Sequence, residues 1–226
     1  MAAATLIMGR IPGVGRPTIG VAMPNTSGIC MIFDAGSSVD SKPKHLLEYA
    51  LMGSIFAKEM YGIENPSVGI LSVGEEDTKG NEVSLAAFDL IKKTNLNFKG
   101  NVEGNDILKG SVNVIVCDGF IGNIILKFGE GVLTFLKFKF KEFAEKGLLN
   151  KIKVGLVRSA MRAILKDFDY ETQGGAPLLG INGICIIGHG RSSELAIKNM
   201  VLKANEMYSK NLLKKFETSL KQYSNL

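Results

Sequence analysis

Cysteine is sparse in this chain and histidine sparser: three and two, respectively, in 226 residues. Cys30, Cys117 and Cys185 each sit alone in an apolar run (GICMIF, VIVCDG, GICIIG), with no CxxC spacing and an odd total. A disulfide framework is therefore not expected, and the compartment is read as reducing. His45 and His189 lie far apart with no cysteine pair to join them, which argues against a zinc site. A cysteine nucleophile is disfavoured as well, because an apolar strand interior does not favour the thiolate. Long hydrophobic runs are also lacking. No stretch reaches the ~18 uninterrupted apolar residues a membrane span needs, and MAAATLIMGR carries no basic segment ahead of its apolar one, so neither a span nor a signal peptide is expected. The location expected is cytoplasmic. Internal repeats, low-complexity tracts and proline-rich linkers are missing, as is tryptophan.

Glycine, by contrast, is plentiful at 26 residues, which places many turns where the backbone takes φ > 0 or approaches something closely. Hydrophobic residues at 46% and charged residues at 22% are globular values. The length suits one α/β domain over 1–226. The net charge of +5 is unevenly placed: from Lys137 to Lys166 there are nine lysines and arginines against two glutamates. The remainder is slightly acidic, so one localised basic face is expected and a nucleic-acid binder is not.

Apolar strand-like runs alternate with helical patterns, the mark of βαβ units and a largely parallel sheet. TIGVAM (18–23) and ICMIFD (29–34) flank the turn cluster Asn25-Thr26-Ser27-Gly28 and read as a hairpin. A helix is expected from Lys42, after Ser41 and with Pro43 in its first turn, ending at Gly62. VGILSV (68–73) leads through a glycine loop to a helix over 81–93. NFKGNV (97–102) and VNVIVCD (112–118) read as strands, the second apolar enough to be buried on both faces. A long helical region over 121–168, broken near Gly147, two strand runs within 178–187 and one last helix over 193–219 complete the pattern. MAAATLIM reads as a helix interior without a cap.

In open α/β sheets ligands bind beyond the carboxyl ends of the strands. The residues there form a consistent set: Asp34-Ala35-Gly36, Gly74 to Glu82, Glu103-Gly104, Asp118-Gly119 and Gly188-His189-Gly190. Each is compatible with an ordinary βα turn; five together predict a pocket. Gly74 to Asn81, with Lys79 and the following helix N-terminus, suits a phosphate. It is not a Walker A loop, since Lys79-Gly80-Asn81 stands where Gly-Lys-Ser/Thr is required, and Gly13-Val14-Gly15 precedes a strand where a dinucleotide fingerprint follows one. His189 is a candidate proton carrier and His45 is read as structural. Phe138, Phe140, Phe143, Leu149, Ile152, Leu156, Met161, Ile164 and Phe168, interleaved with basic residues, form either a helix with a solvated basic side or a protruding basic amphipathic hairpin that rests on an anionic membrane or a hydrophobic partner, an acidic partner protein fitting the same charge.

Taken in order, Phe33-Asp34-Ala35-Gly36, Gly74-Glu75-Glu76 with Lys79-Gly80-Asn81-Glu82, Gly100-Asn101-Val102-Glu103-Gly104, Val116-Cys117-Asp118-Gly119-Phe120 with Gly122-Asn123, Gly174 to Gly180, and His189-Gly190 resemble the bacterial phosphate acyltransferases of phospholipid synthesis. The likeness extends through about Ala204. It implies a Rossmann-like α/β/α sandwich related to the isopropylmalate dehydrogenase and phosphotransacetylase type, with a protruding amphipathic hairpin over 137–168. It further implies transfer of a fatty acyl group from acyl carrier protein to inorganic phosphate, without a cofactor or metal, by a homodimer that touches the membrane and passes acyl phosphate to a membrane acyltransferase. On that reading Asp34, Gly74, Glu75, Lys79, Gly80, Asn81, Glu82, Glu103 and Asn182 are expected around substrate, and His189, Asp118 and Asn123 in the chemistry. Family members carry a strand-and-helix portion ahead of the stretch similar to Met1-Ala2-Ala3-Ala4, and commonly Gly-Ala-Asn where Gly36-Ser37-Ser38 stands here. A dehydrogenase of related fold and a non-catalytic homologue that only dimerises and docks on membrane are the alternatives.

Overall fold

The computed structural model of the chain describes residues 1–165 and 174–226. After a short exposed helix α1 (Ala2–Ile7), the hairpin β1 (Thr18–Asn25) and β2 (Gly28–Phe33) pairs antiparallel in the register Asn25 opposite Gly28. Helix α2 (Pro43–Tyr61) follows, then β3 (Ser67–Leu71), α3 (Glu82–Lys92), β4 (Asn97–Val102), α4 (Asp106–Lys109) and β5 (Val114–Val116). Two long helices come next, α5 (Gly119–Glu145) and α6 (Leu148–Leu165). The chain ends with β6 (Ala176–Leu179), β7 (Cys185–Ile187), α7 (Glu194–Ser209) and α8 (Leu212–Gln222).

One seven-stranded sheet runs in the order β4-β3-β5-β2-β1-β6-β7. The first four of these are mutually parallel, β1 opposes β2, β6 opposes β1, and β7 opposes β6. Strand alternation divides the core between the two faces. Met31, Phe33, Val114 and Val116 pack with Leu47, Met52, Phe56 and Phe216, the residues of α2 and α8. Cys30, Ile32, Ile115 and Cys117 face the other way, against Ile107 and the start of α5. β5 is buried throughout, as its apolar composition requires. Sequence and sheet together define an α/β/α sandwich.

Helix ends follow local chemistry. Asn81 caps α3 by accepting from the Ser84 N–H at 2.9 Å, and Asp118 caps α5 through the Ile121 N–H at 2.8 Å. Lys42, rather than Ser41, occupies the cap of α2; its N–H donates to His45 Nδ1 at 3.1 Å, so His45 is structural. Gly62 closes α2 in the left-handed region at φ 69. The single last helix expected over 193–219 is two: Asn211, at φ 54, turns the chain so that α8 lays Leu212, Phe216 and Leu220 into the core around α2.

Only Gly119 and Gly122 are buried in α5. Beyond the first turn its surface exposes Phe128, Phe135, Leu136, Phe138, Phe140 and Phe143, and α6, which packs back against it, exposes Leu148, Leu149, Ile152 and Leu156. The exposed apolar face begins well before the expected residue 137. Residues 166–168 of that expectation, Phe168 among them, lie outside the described residues. By length and composition α5 is also apolar enough to cross a membrane, with an 18-residue window of mean hydropathy 1.4 and 11% of that window buried.

Candidate active site

β2, β3, β4 and β5 end at one edge of the sheet, and β6, antiparallel to β1, ends there too. Asp34 to Ser38, Gly74 to Glu82, Glu103, Asp118 and Gly180 to Asn182 therefore share that edge. β1 runs the other way, so the segment that leads into it, Arg10 to Pro17, arrives at the same place. β7 is reversed relative to β6, and Gly188-His189-Gly190 emerges at the opposite edge. His189 thus stands apart from the other expected site residues of this chain. It is exposed, its Nδ1 accepts from the Arg191 N–H at 3.2 Å and its carbonyl accepts from Ser192 Oγ, closing the turn before α7.

Asp34 is fully buried and its carboxylate is occupied by the protein. It accepts from the N–H groups of Ile19 (3.1 Å), Ser37 (3.0 Å) and Ser38 (2.9 Å) and from Ser37 Oγ (2.6 Å). Its expected contact with substrate gives way to a positioning role: it winds residues 34–38 around one buried charge, as a carboxylate with several N–H donors does. α5 begins directly on this loop. A Cβ at Gly119 would stand 2.3 Å from the Ser38 carbonyl oxygen, and one at Gly122 would stand 1.9 Å from that of Asp34. Only glycine permits the approach, which brings Asn123, exposed, beside Gly36.

The loop after β3 is held by a residue of another strand. Asn101, buried on β4, donates through Nδ2 to the carbonyls of Glu76 (2.7 Å) and Lys79 (3.1 Å). The Lys79 N–H donates to the Glu76 carbonyl at 2.9 Å, making a compact turn over buried Gly74. Gly80 follows at φ 129 and Asn81 opens α3. Glu75, Lys79, Asn81 and Glu82 are exposed around it. Glu103 is half-buried, its N–H bonded to Asp106 Oδ2 at 2.8 Å; Asn182 is exposed, its N–H bonded to the Gly9 carbonyl at 3.0 Å. A helix N-terminus, a lysine and a constrained loop are a combination suited to an oxyanion.

Sequence reasoning did not single out the segment before β1. Arg16 donates to Ser38 Oγ at 2.9 Å, Arg10 donates to the Gly15 carbonyl, and the Gly15 N–H donates to Glu48 Oε2 at 2.8 Å. The signal for it was the hairpin itself, since a strand antiparallel to β2 must start where β2 ends. Burial lowers the His45 imidazole, with Arg16, Lys42 and Arg10 adding charge repulsion. Burial raises the Glu48 carboxyl against the pull of its N–H partners. It also pushes Cys30 up to about 12 and raises Cys117, so neither thiol is poised as a nucleophile. Among the described residues no group of three or more His, Cys, Asp and Glu side chains is placed to hold a metal ion. Two concavities lie away from this edge, one of about 610 Å³ along α5 between Lys127 and Phe138, the other of about 310 Å³ beside Lys203 and Tyr61.

The fold is an open α/β/α one, and it is similar to that of a phosphotransacetylase from Streptococcus pyogenes, which superposes with a TM-score of 0.52 at 16% identity, over 97% of this chain and 59% of that one. The Fatty acid synthesis protein family matches residues 1–215, and the chain belongs to that family. It is 47% identical over 220 residues to a phosphate acyltransferase of Pelotomaculum thermopropionicum, covering 97% of this chain and 64% of the relative. Against a phosphate acyltransferase of Endomicrobium trichonymphae it is 45% identical over 226 residues, covering 100% and 67%. The chain thus spans about two thirds of the length of these relatives.

Proposed function

We propose that this chain acts in the transfer of a fatty acyl group from acyl carrier protein to inorganic phosphate, yielding acyl phosphate for phospholipid synthesis. The observation that supports it best is the gathering of glycine loops, Lys79 and the N-termini of α3 and α5 at one sheet edge, in a chain nearly half identical to phosphate acyltransferases. The chemistry asks little beyond placement. Phosphate is an oxyanion nucleophile and a thioester is an activated donor: a phosphate oxygen bonds to the acyl carbon, the C–S bond breaks, and the thiolate takes up a proton. Lys79 and the 74–81 loop hold phosphate, Asn123, Asn81 and Asn182 supply donors for the tetrahedral oxyanion, and Asp118 manages the proton from beside α5. Glu75, Glu82 and Glu103 orient the cations. His189, at the far edge, has no part in this arrangement within one chain.

The same proposal includes a homodimer in the cytoplasm whose α5–α6 hairpin rests on anionic membrane, delivering acyl phosphate to the next, membrane-bound acyltransferase. The exposed phenylalanines beside Lys137, Lys139 and Lys141 support it. The test is hydroxylamine trapping of acyl phosphate from long-chain acyl carrier protein with and without inorganic phosphate. Phosphate-dependent hydroxamate is expected; none from the folded chain, beside an active relative of full length, would leave only the non-catalytic reading.

A further inference from the structure

We infer that Arg10 and Arg16 form a second oxyanion subsite, which holds the phosphodiester at the root of the acyl donor's pantetheine arm; this rests on the acyl-transfer reading above. Both arginines are exposed, and among the described residues neither is in an ion pair. Each is steered by one neutral oxygen, the Gly15 carbonyl for Arg10 and Ser38 Oγ for Arg16, which leaves donors of a planar fork unused. Arginine in that state is the side chain suited to a phosphoryl group.

The surroundings are positive as well. Arg10, Arg16 and Lys42 act together on His45, which lies in the first turn of the 19-residue α2 that opens at Lys42. The one carboxylate of α2 here, Glu48, is buried beneath and bound to the Gly15 N–H. Tyr49, whose hydroxyl neighbours that of Ser41, feels the Arg16 charge, and among the described residues these two hydroxyls and Thr18 Oγ1 are buried without a hydrogen-bond partner. The segment carrying the arginines is firmly tied, through Ile11 to the Gly180 carbonyl and through Ser37 Oγ to the Pro17 carbonyl. The cations are therefore held in place by the fold.

Geometry separates this subsite from the phosphate loop. β1 and β3 have β2 and β5 between them, so at ~4.8 Å per strand the two clusters are about 14 Å apart along the edge. One inorganic phosphate does not reach both. A donor with an anion at one end of an arm and a thioester at the other fits the span, its carbonyl delivered toward the nucleophile at Gly74–Asn81.

The experiment is a proton NMR titration of the His45 imidazole in the whole chain, with His189→Gln to assign the two resonances. The charged groups facing His45 are Arg10 and Arg16 from the segment before β1, Lys42 at the cap, and Glu48 from its own helix. Adding 4′-phosphopantetheine should raise the His45 pKa as its dianion offsets these cations, while pantetheine without phosphate should leave it unmoved. Arg16→Gln should weaken phosphopantetheine binding by about tenfold or more and Arg16→Lys by less, as loss of a charged fork contact predicts. An unmoved His45, or equal binding of pantetheine and its phosphate, would overturn the subsite. A response to inorganic phosphate at lower concentration than to phosphopantetheine would overturn the donor assignment and make the cluster the acceptor site. In turnover, Arg16→Gln should raise the KM for donor and leave that for phosphate in place. If His45 responds as expected while no donor yields acyl phosphate, the subsite stands and the acyl-transfer reading falls.

Discussion

Asp34 shows how much one buried side chain can organise. Its carboxylate satisfies three backbone N–H groups and a hydroxyl, and it ties β1 to the loop after β2. In Asp34→Asn the amide nitrogen faces donors, and the destabilisation expected is about 3 kcal/mol, read from the midpoint of urea unfolding. Gly122→Ala tests the neighbouring contact. Its methyl would meet the Asp34 carbonyl at 1.9 Å, so α5 must shift, with a loss of about 1–3 kcal/mol. Lys79 is a different case, exposed and bonded through its backbone, so Lys79→Ala should leave stability within about 0.5 kcal/mol. Its effect belongs to function: a strongly raised phosphate requirement in the hydroxamate assay, where an unchanged one removes Lys79 from the site.

Among the elements, α2 carries a titratable cap. His45 must be neutral to accept from the Lys42 N–H, and its folded-state pKa is lowered, first by burial and then by Arg16, Lys42 and Arg10. The native state therefore binds the proton less readily than the unfolded chain does. Stability is full above the unfolded value and is lost as pH falls through it toward the lowered native one. Thermal unfolding should show this loss below about pH 6.5, and His45→Asn, which keeps an acceptor, should flatten it. The hairpin supplies a second test at this scale. Replacing Phe128, Phe135 and Phe138 by Ser should reduce sedimentation with anionic vesicles while leaving unfolding unchanged, because these side chains are exposed.

Elements defined by local signals were legible in advance: the helix after Ser41 with Gly62 as its stop, the turn at residues 25–28, the alternation of strands and helices. What local pattern does not carry is pairing. The three residues of β7 read as one more strand, and only the antiparallel bond pattern with β6 turns its carboxyl end, and His189, to the far side. Arg16 was overlooked for the mirrored reason, since its place depends on the direction of β1. Asn101 reads as a strand residue until its amide is seen holding the Glu76 and Lys79 carbonyls. The break at Asn211 was hidden because a residue other than glycine takes the left-handed conformation there.

For the molecule as a whole, the sheet must end somewhere, and it ends at two strands of unlike kind. β7 offers three residues and nothing more. β4 offers six, but Lys99 is exposed on it, Gly100 sits at φ 92, and the register against β3 slips between Val68 and Ile70. A strand so short and a strand so charged and irregular are poor templates for a foreign backbone. Much of the apolar surface left open lies instead on α5 and α6, where the backbone groups of the helix interior are already bonded within the helix. Crowding this protein in solution should therefore produce reversible, detergent-sensitive clusters rather than fibrils, with the colloidal behaviour of a helical amphiphile and not of an unfinished sheet.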